Sequence, residues 1–273
     1  MLNIGFKVEN LTRDRGTIRE LLSYFKHNHQ YLLEIGFCHD NPSMNAFFQS
    51  VCKDELHRII THNRHKNSVI SLYQREEKML EELSISKSLN SQYSIIHLTE
   101  SKEVESLFTE KDLIFKGIPL LEKLNRIAVE HNFAYYLENT YHGIDFYKEL
   151  FDLMGRKELQ NIHFCFDIGH AKVWSYNTLA EWYQFLHYLK KTGVKLHFHL
   201  HLNDGSADEH LSFMEANHTG GDMFSGYIHY ENVMRSLIYQ FPHERKIFEV
   251  KPKFAIPNIQ YIARLLSRER VAS

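Results

Sequence analysis

The chain has 273 residues, of which 43% are hydrophobic and 24% are charged, a balance typical of a well-packed soluble globular protein. Its formal net charge of −2 argues against a generally basic nucleic-acid-binding protein and against an acidic tail. The 19 histidines are an unusually large number, and they point towards metal or proton chemistry.

The cysteines and the apolar runs indicate the cellular compartment. Cys38, Cys52 and Cys165 are far apart and form no CxxC pair, which argues against a disulfide framework and against a structural zinc ribbon. The first residues contain no signal-peptide pattern, and no apolar run reaches the roughly 18 residues of a membrane span. We therefore expect a cytoplasmic protein that does not contact a membrane.

Eight short apolar runs, each predicted as a β-strand, alternate with longer segments of helical pattern. In chain order the predicted strands cover 3–6, 31–37, 58–61, 93–97, 134–138, 162–167, 194–201 and 246–250. Two Thr-x-x-Glu strings predict capping boxes at helix starts: Thr17 with Glu20, and Thr178 with Glu181. The longest amphipathic pattern covers 113–129, and its Gly and Pro place the predicted helix start near Ile118.

This alternation of strands and helices predicts a single-domain α/β protein, a (β/α)8 TIM barrel that spans residues 1–273. No linker rich in Ser, Gly or Pro interrupts the chain, so we expect no domain boundary. A doubly wound open sheet is the alternative. The first strand, however, lacks the Gly-rich phosphate-binding turn that this alternative would require.

Polar residues lie where six of the predicted strands end. In a TIM barrel these carboxyl ends form the rim that carries the active site. The residues are His62, His97, Glu138, Asp167 followed by His170, His201 followed by Asp204, and Glu249. Histidine and carboxylate side chains are the usual ligands of zinc, manganese and similar divalent ions, so the pattern predicts a metal site at the rim.

The prediction has different support at different positions. A carboxylate at the end of a buried apolar strand is costly unless a cation or hydrogen bonds compensate it, which favours a metal role for Glu138, Asp167, Glu249 and the neighbouring His201. For His62 and His97 a metal role and a structural role remain open. The alternation of side chains along the seventh strand points 197, 199 and 201 inwards, and the first two of these histidines are predicted to pack in the interior.

Several strings together resemble the xylose isomerase-like TIM-barrel superfamily: LENT at 137–140, FCFDIGHA at 164–171, HLHLNDG at 199–205, ADEH at 207–210 and FEV at 248–250. This superfamily contains sugar and sugar-phosphate isomerases and epimerases, and the endonuclease-IV-type abasic-site endonucleases (AP endonuclease family 2). The resemblance covers about 62–249, and the order and spacing of the strings make it more specific than any one of them.

The resemblance implies roles for individual residues. The metal core of the family falls on Glu138, Asp167, His201 and Glu249. His170 matches a histidine that contacts the substrate in the isomerases and binds an additional zinc in the endonucleases. The remaining endonuclease ligands match His62, His97, Asp208 and His210. The family therefore implies one to three divalent ions per chain, with zinc, manganese, cobalt or magnesium as candidates.

Two segments of the chain differ from the sequence pattern of some or most family members. The second strand ends in LLEIGF, which resembles isomerase members that have a glutamate near the site, here Glu34. The loop over 211–227 is longer than the G-x-G-x-I turn that usually follows, and we interpret it as an active-site lid with glycine hinges.

Two functional hypotheses follow, and the first is preferred from the sequence. In a sugar or sugar-phosphate isomerase or epimerase, one divalent ion would polarise a carbonyl while Glu138 and Glu249 take and return a proton. There His170 would orient the substrate oxygen. The candidate substrate-binding residues are His62, Glu34 and Lys251, although Lys251 could equally be a solvated rim charge.

The alternative hypothesis is an endonuclease-IV-like zinc phosphodiesterase with a trinuclear metal site, and only this hypothesis implies a nucleic-acid partner. The sole basic cluster that the sequence places at the rim is 62–66, which could also bind a sugar phosphate or be solvated. A non-catalytic barrel would be expected to lose at least one core ligand, and none is lost.

Overall fold

The computed structural model describes residues 3–9, 15–28, 31–37, 46, 58–203, 205–212 and 230–272. Eight strands pair in parallel and in sequence order, and β1 also pairs with β8, which closes a barrel. They are β1 Ile4–Glu9, β2 Leu32–Gly36, β3 Ile59–His62, β4 Tyr93–His97, β5 Ala134–Glu138, β6 Ile162–Asp167, β7 Leu196–Leu200 and β8 Arg245–Phe248. The predicted (β/α)8 barrel is confirmed, and the open-sheet alternative is wrong.

Helices surround the barrel. In the described ranges they are α1 Arg15–His27, α2 Leu72–Ser88, α3 Lys102–Glu105, α4 Glu110–Glu130, α5 Ile144–Arg156, α6 Ile168–Trp174, α7 Leu179–Lys191, α8 Tyr230–Gln240 and α9 Pro252–Ala272. Among the residues that the structure describes, no helix has the length and apolar character needed to span a bilayer.

One of the two predicted capping boxes is present in the structure, and the other is not. The Thr178–Glu181 capping box is confirmed at the start of α7. The one predicted at Thr17 is wrong, because α1 already begins at Arg15.

The predicted start of the longest helix near Ile118 is also wrong, because α4 begins at Glu110 behind a capping box formed by Thr109 and Asp112. Pro119 lies inside this helix and removes the N–H that would bond the Phe115 carbonyl. Phe115 is 82% exposed, so solvent can supply the missing donor at that point.

The alternation of side chains along each strand creates two apolar layers. Outward-facing residues such as Leu33, Phe164 and Phe198 pack against the helices in the larger cluster. Inward-facing residues such as Ile95 and Tyr136 fill the barrel in a smaller cluster. Above this inner layer, the next inward positions are polar, and they form the rim site described below.

Glu82 on α2 is fully buried and lies outside that site. Its Oε1 accepts hydrogen bonds from Arg64 Nε at 2.5 Å and from Asn67 Nδ2 at 2.8 Å, while Oε2 is buried without a hydrogen-bond partner. Burial raises the pKa of the Glu82 carboxyl to about 7, although Arg64 and Asn67 oppose the shift.

The folded Glu82 carboxyl therefore binds its proton more tightly than the unfolded chain, whose value is near 4.5. The stability that this proton contributes is present below the unfolded pKa and is lost as the pH rises through about 7. Between the two values, the free energy of unfolding should fall by about 1.4 kcal/mol per pH unit from this group. Urea unfolding of Glu82→Gln should lack this component, whereas the exposed neighbour variant Glu81→Gln should retain it. Equal pH slopes for wild type and Glu82→Gln would contradict the assignment.

Candidate metal centre

Glu138 lies at the centre of the rim, at the end of β5, and is 1% exposed. Its Oε2 lies 3.1 Å from His62 Nε2 and 3.1 Å from His97 Nε2. Its Oε1 lies 3.2 Å from His199 Nδ1 and 3.3 Å from His170 Nδ1. Strands β3, β4, β5 and β7 and helix α6 thus bring four imidazoles to one buried carboxylate.

The segments 137–140 (LENT) and 166–170 (FDIGH) are hydrogen-bonded to each other through Asn139 and Asp167. Asp167 N donates to Asn139 Oδ1 at 2.6 Å, and Asn139 Nδ2 donates to the Asp167 carbonyl at 2.9 Å. The Asp167 carboxylate caps α6 by accepting from His170 N at 2.7 Å. Both carboxylate oxygens of Asp167 lie 2.9 Å from His201 Nε2. Asn139 is therefore a positioning residue for the second carboxylate of the site.

A third group lies beside the first two. Asp208 Oδ2 lies 3.2 Å from His170 Nε2 and 3.0 Å from His210 Nε2. Asp208 Oδ1 lies 3.7 Å from His201 Nδ1. The short segment after β7 thus returns Asp208 and His210 to the rim.

Glu249 follows β8 and is held by two cationic groups. Its Oε1 accepts a hydrogen bond from Lys7 Nζ at 2.5 Å, and its Oε2 lies 2.9 Å from His199 Nδ1. Lys7 Nζ is also 3.9 Å from Glu34 Oε1, while Glu34 Oε2 lies 3.1 Å from His199 Nε2. The buried Lys7 and Glu34 therefore form the floor of the site on the β1–β2 side.

A deeper contact chain extends from this floor into the barrel. His197 Nε2 lies 3.3 Å from Glu34 Oε2, and its Nδ1 lies 3.0 Å from the Tyr93 hydroxyl. Burial lowers the pKa of His197 to about 4, although Glu34 opposes the shift. His197 is therefore a neutral, hydrogen-bonded interior residue, as the sequence predicted.

The charges of the site compensate each other. Burial alone would raise the carboxyl pKa values of Glu34, Glu138 and Glu249, but His199 and other nearby cationic groups lower all three well below the ordinary value. Burial likewise would lower the pKa of His170, but Asp167, Asp208 and Glu138 raise it to about 10. His170 and His199, whose pKa values the neighbouring carboxylates raise, therefore supply positive charge beside those carboxylates.

The histidine orientations suit metal binding. Three imidazoles place Nδ1 close to a backbone carbonyl: His62 at 2.8 Å from the Asn63 carbonyl, His170 at 2.9 Å from that of Asn139, and His210 at 3.1 Å from that of Glu249. A carbonyl can only accept, so Nδ1 carries the proton and the neutral ring offers its Nε2 lone pair to the site. This is the usual arrangement of a metal-ligating histidine.

Unpartnered polar atoms give a second test. His201 Nδ1, Asp208 Oδ1 and Glu34 Oε1 are buried without a hydrogen-bond partner. Among the described residues, three of the groups whose ligand atoms lie within 4.8 Å of one another are His62/His97/Glu138, Glu138/Asp167/His199/Glu249 and His170/His201/Asp208/His210. Nitrogen and oxygen donors in such numbers fit zinc and similar divalent ions.

The structure brings together most of the residues that the sequence nominated. The nine candidate ligands lie at the rim, namely His62, His97, Glu138, Asp167, His170, His201, Asp208, His210 and Glu249, and Glu34 lies beside them. Lys251 is exposed, because β8 ends at Phe248 and strand alternation does not extend to it. Some of the residues discussed from the sequence lie outside the described residues: Cys38, Cys52, Asp204, and 213–227, which is most of the proposed lid.

Two site residues escaped the sequence prediction of the centre. His199 was predicted only to pack in the interior, yet it contacts Glu34, Glu138 and Glu249. Lys7 was not considered, because the first predicted strand ended at residue 6, whereas β1 extends to Glu9 and includes it. The predicted basic cluster at 62–66 has less positive charge available for a ligand, because the Arg64 guanidinium pairs with buried Glu82.

Gly169 provides a specific test of the His201 position. A Cβ at Gly169 would lie 2.0 Å from His201 Cε1 and 2.4 Å from its Nδ1, so the imidazole would have to move. We expect Gly169→Ala to fold but to bind zinc at least about tenfold more weakly, measured by competition with a chromogenic chelator. At Gly155 an added Cβ meets nothing within 4 Å, so Gly155→Ala is the matched control. Equal zinc affinity in the two variants would refute the placement of His201.

Solved structures of other proteins have the same fold as this chain. No protein-family model matches the chain, and no curated protein matches it significantly. Similar solved structures include a D-tagatose 3-epimerase-like protein, 21% identical, covering 98% of this chain and 99% of that one with a TM-score of 0.69.

Two proteins from Thermus thermophilus are also similar. The TTHB071 protein, studied by soaking with ZnCl2, is 18% identical over 96% of this chain and 98% of its own, with a TM-score of 0.67. Endonuclease IV is 15% identical over 97% and 99%, with a TM-score of 0.61. The chain thus has the fold of xylose isomerase-like TIM-barrel proteins, as its sequence motifs predicted.

Proposed function

We propose that this protein is a metal-dependent phosphoesterase with a multinuclear centre. The supporting observation is that candidate ligands of the described residues form several adjoining groups. Two of them, His62/His97/Glu138 and Glu138/Asp167/His199/Glu249, share Glu138, and the group His170/His201/Asp208/His210 lies beside them. A single-ion isomerase would use one group and leave the other buried carboxylates and imidazoles without a role. The preference between the two hypotheses is therefore the reverse of the one drawn from the sequence.

The resemblance to endonuclease IV and to a zinc-soaked protein of the same fold supports this proposal. Bound divalent ions would lower the pKa of a water molecule and neutralise charge on a phosphate group. As the family resemblance implies, His62, His97 and Glu138 would hold one ion, Glu138, Asp167, His201 and Glu249 a second, and His170, Asp208 and His210 a third. In the structure His201 is grouped with the third set, but its Nε2 also lies 2.9 Å from both oxygens of Asp167, which suits the second.

The remaining residues would keep these ligands in place. Lys7 fixes one oxygen of Glu249, so that the other faces the centre. Asn139 fixes Asp167 through two hydrogen bonds, and the main-chain carbonyls described above set the orientation of three imidazoles. A rigid set of ligands would contribute to catalysis, because the site need not reorganise during the reaction.

The substrate is proposed to be a small phosphoester. In the described part of the rim, Arg64 pairs with Glu82 and Lys7 pairs with Glu249. These two cations are thereby engaged inside the protein, whereas binding along a nucleic-acid backbone requires several of them on the surface.

The second candidate is the sugar isomerase or epimerase. Glu138 Oε1 and Glu249 Oε2 both lie close to His199 Nδ1, at 3.2 Å and 2.9 Å. Two carboxylates that face one reaction space suit proton removal and return. The D-tagatose 3-epimerase-like neighbour is in keeping with this candidate.

Metal content and substrate tests separate the two candidates. Protein purified with zinc should contain roughly three ions per chain and should hydrolyse bis(p-nitrophenyl) phosphate or p-nitrophenyl phosphate. An abasic-site oligonucleotide tests the nucleic-acid substrate, and a panel of ketoses tests epimerisation. One ion per chain together with epimerisation, and no phosphoester hydrolysis, would overturn the proposal.

A further inference from the structure

The amino-terminal end of the barrel, opposite the metal centre, contains a cavity of about 790 Å³. It lies at the starts of β4, β5, β7 and β8, and Tyr93, Tyr136, His163, Lys195 and Arg245 contribute to its walls. This volume is in the range of small-molecule sites. The inner layer of the barrel, which includes Ile95, Cys165 and Ile247, separates it from the rim.

Arg245 is the main charged group of this cavity. Its guanidinium lies 5.0 Å from the centroid of the Tyr93 ring, which holds it against the barrel wall. Within the ranges that the structure describes, no carboxylate forms an ion pair with Arg245. Arg58 is close enough that burial and the charge of Arg245 lower its pKa. Two neighbouring guanidinium groups therefore raise the positive potential at this end of the barrel.

Most of the charged side chains that line the cavity are cationic. The cavity is lined by three lysine or arginine side chains and by one carboxylate, Glu244, which pairs with Lys190. Lys195 and Arg245 are therefore the cations of the cavity that this carboxylate does not neutralise. This local positive charge occurs in a chain whose net charge is −2, so it is a property of this cavity and not of the whole surface.

Neutral donors complete the walls. Lys195 N donates to His163 Nδ1 at 3.4 Å, so the proton of the neutral imidazole is on Nε2, which makes His163 a donor elsewhere. Burial lowers the pKa of His163 to about 4, so the ring is neutral at pH 7. The side-chain amides of Gln92, Asn132 and Gln160 also line the cavity and can bind hydroxyl groups.

We propose that this cavity is a second binding site that takes the phosphate group of a small phosphorylated molecule, with Arg245 and Lys195 as its cationic ligands. A guanidinium fork matches two phosphate oxygens, and the ammonium of Lys195, which lines the same cavity, supplies a second charge. The amide-lined remainder suits a polar, hydroxylated body. This site is independent of the chemistry proposed for the rim, because no residue is shared between them.

Calorimetric titration of the zinc-loaded protein with inorganic phosphate and with glycerol 3-phosphate tests the proposal, and glycerol is the uncharged control. We expect a class of saturable sites for both anions that persists in Glu138→Gln, and whose affinity is at least about tenfold weaker in Arg245→Gln and about threefold weaker in Lys195→Gln. Lys111 is exposed in the first turn of α4 and does not line the cavity, so Lys111→Gln is the control variant, whose affinity should be unchanged. Tighter binding of glycerol 3-phosphate assigns the site to a phosphate ester, and equal binding assigns it to the phosphate group alone. Both results support the site.

Phosphate bound at the metal centre would give a different pattern. Because the rim is itself proposed to take a phosphoester, binding there is expected as a separate event that Glu138→Gln removes and Arg245→Gln retains. The proposal is overturned if Glu138→Gln removes all saturable phosphate binding. Absence of saturable binding would also overturn it. If Arg245→Gln does not fold, as judged by circular dichroism, the exposed Lys195→Gln decides the question, and an unchanged affinity in this variant refutes the site.

Discussion

Replacing Glu138 with Gln is expected to remove most of the bound metal and to lower kcat/KM for the phosphoester by a factor on the order of 10³. Glu138 contacts four imidazoles and belongs to two of the three ligand groups, so one substitution affects two ion positions. Glutamine keeps the shape of the side chain but loses its charge. Metal content by elemental analysis and steady-state kinetics measure the two effects.

The control for this variant is Glu149→Gln, a charge-neutralising change at an exposed position of α5. It should leave both metal content and kcat/KM unchanged. Circular dichroism should show that both variants keep the barrel. If Glu138→Gln retains its full metal content and turnover, the assignment of the centre to this carboxylate is wrong.

Replacing Lys7 with Met is expected to destabilise the metal-free protein by about 3–5 kcal/mol. The variant removes the ammonium group that lies 2.5 Å from Glu249 Oε1 and 3.9 Å from Glu34 Oε1. Both of these carboxylates are largely buried. In zinc-loaded protein the bound ions would supply positive charge, so the loss of free energy of unfolding should be clearly smaller. Urea unfolding in the presence of a chelator and in the presence of zinc measures both values.

Lys148→Met is the matched control, because Lys148 pairs with Asp152 at 2.8 Å but is 51% exposed. An exposed pair of this kind contributes at most about 1 kcal/mol, with no dependence on zinc. Equal destabilisation of Lys7→Met with and without zinc would show that Lys7 does not share the carboxylates with a metal ion.

The fold could be predicted from local patterns. All eight strands were recognised as short apolar runs, because strands buried on both faces need such runs. Helix starts were less predictable. The pattern at Pro119 suggested a start, but a proline is tolerated on the solvent side of α4, and the capping box at Thr109 begins the helix earlier.

The ligand positions were predictable because a barrel collects its strand ends at one rim. The positions of Glu138, Asp167 and Glu249 followed from that topology and from the cost of burying a carboxylate. Their metal roles remain predictions. Lys7 was not found, because its contact with Glu249 spans 242 residues of sequence and exists only once β1 pairs with β8.

The amino-acid sequence by itself determined the alternation of strands and helices and the placement of histidines and carboxylates at the strand ends, since both are set by spacing along the chain. Only the tertiary structure decided how those side chains group. Barrel closure sets the distances between strands, and those distances place His199 among three carboxylates and divide the ligands into three adjoining groups. The same closure leaves Arg245 at the opposite end beside a cavity, a juxtaposition that no local pattern in the sequence records.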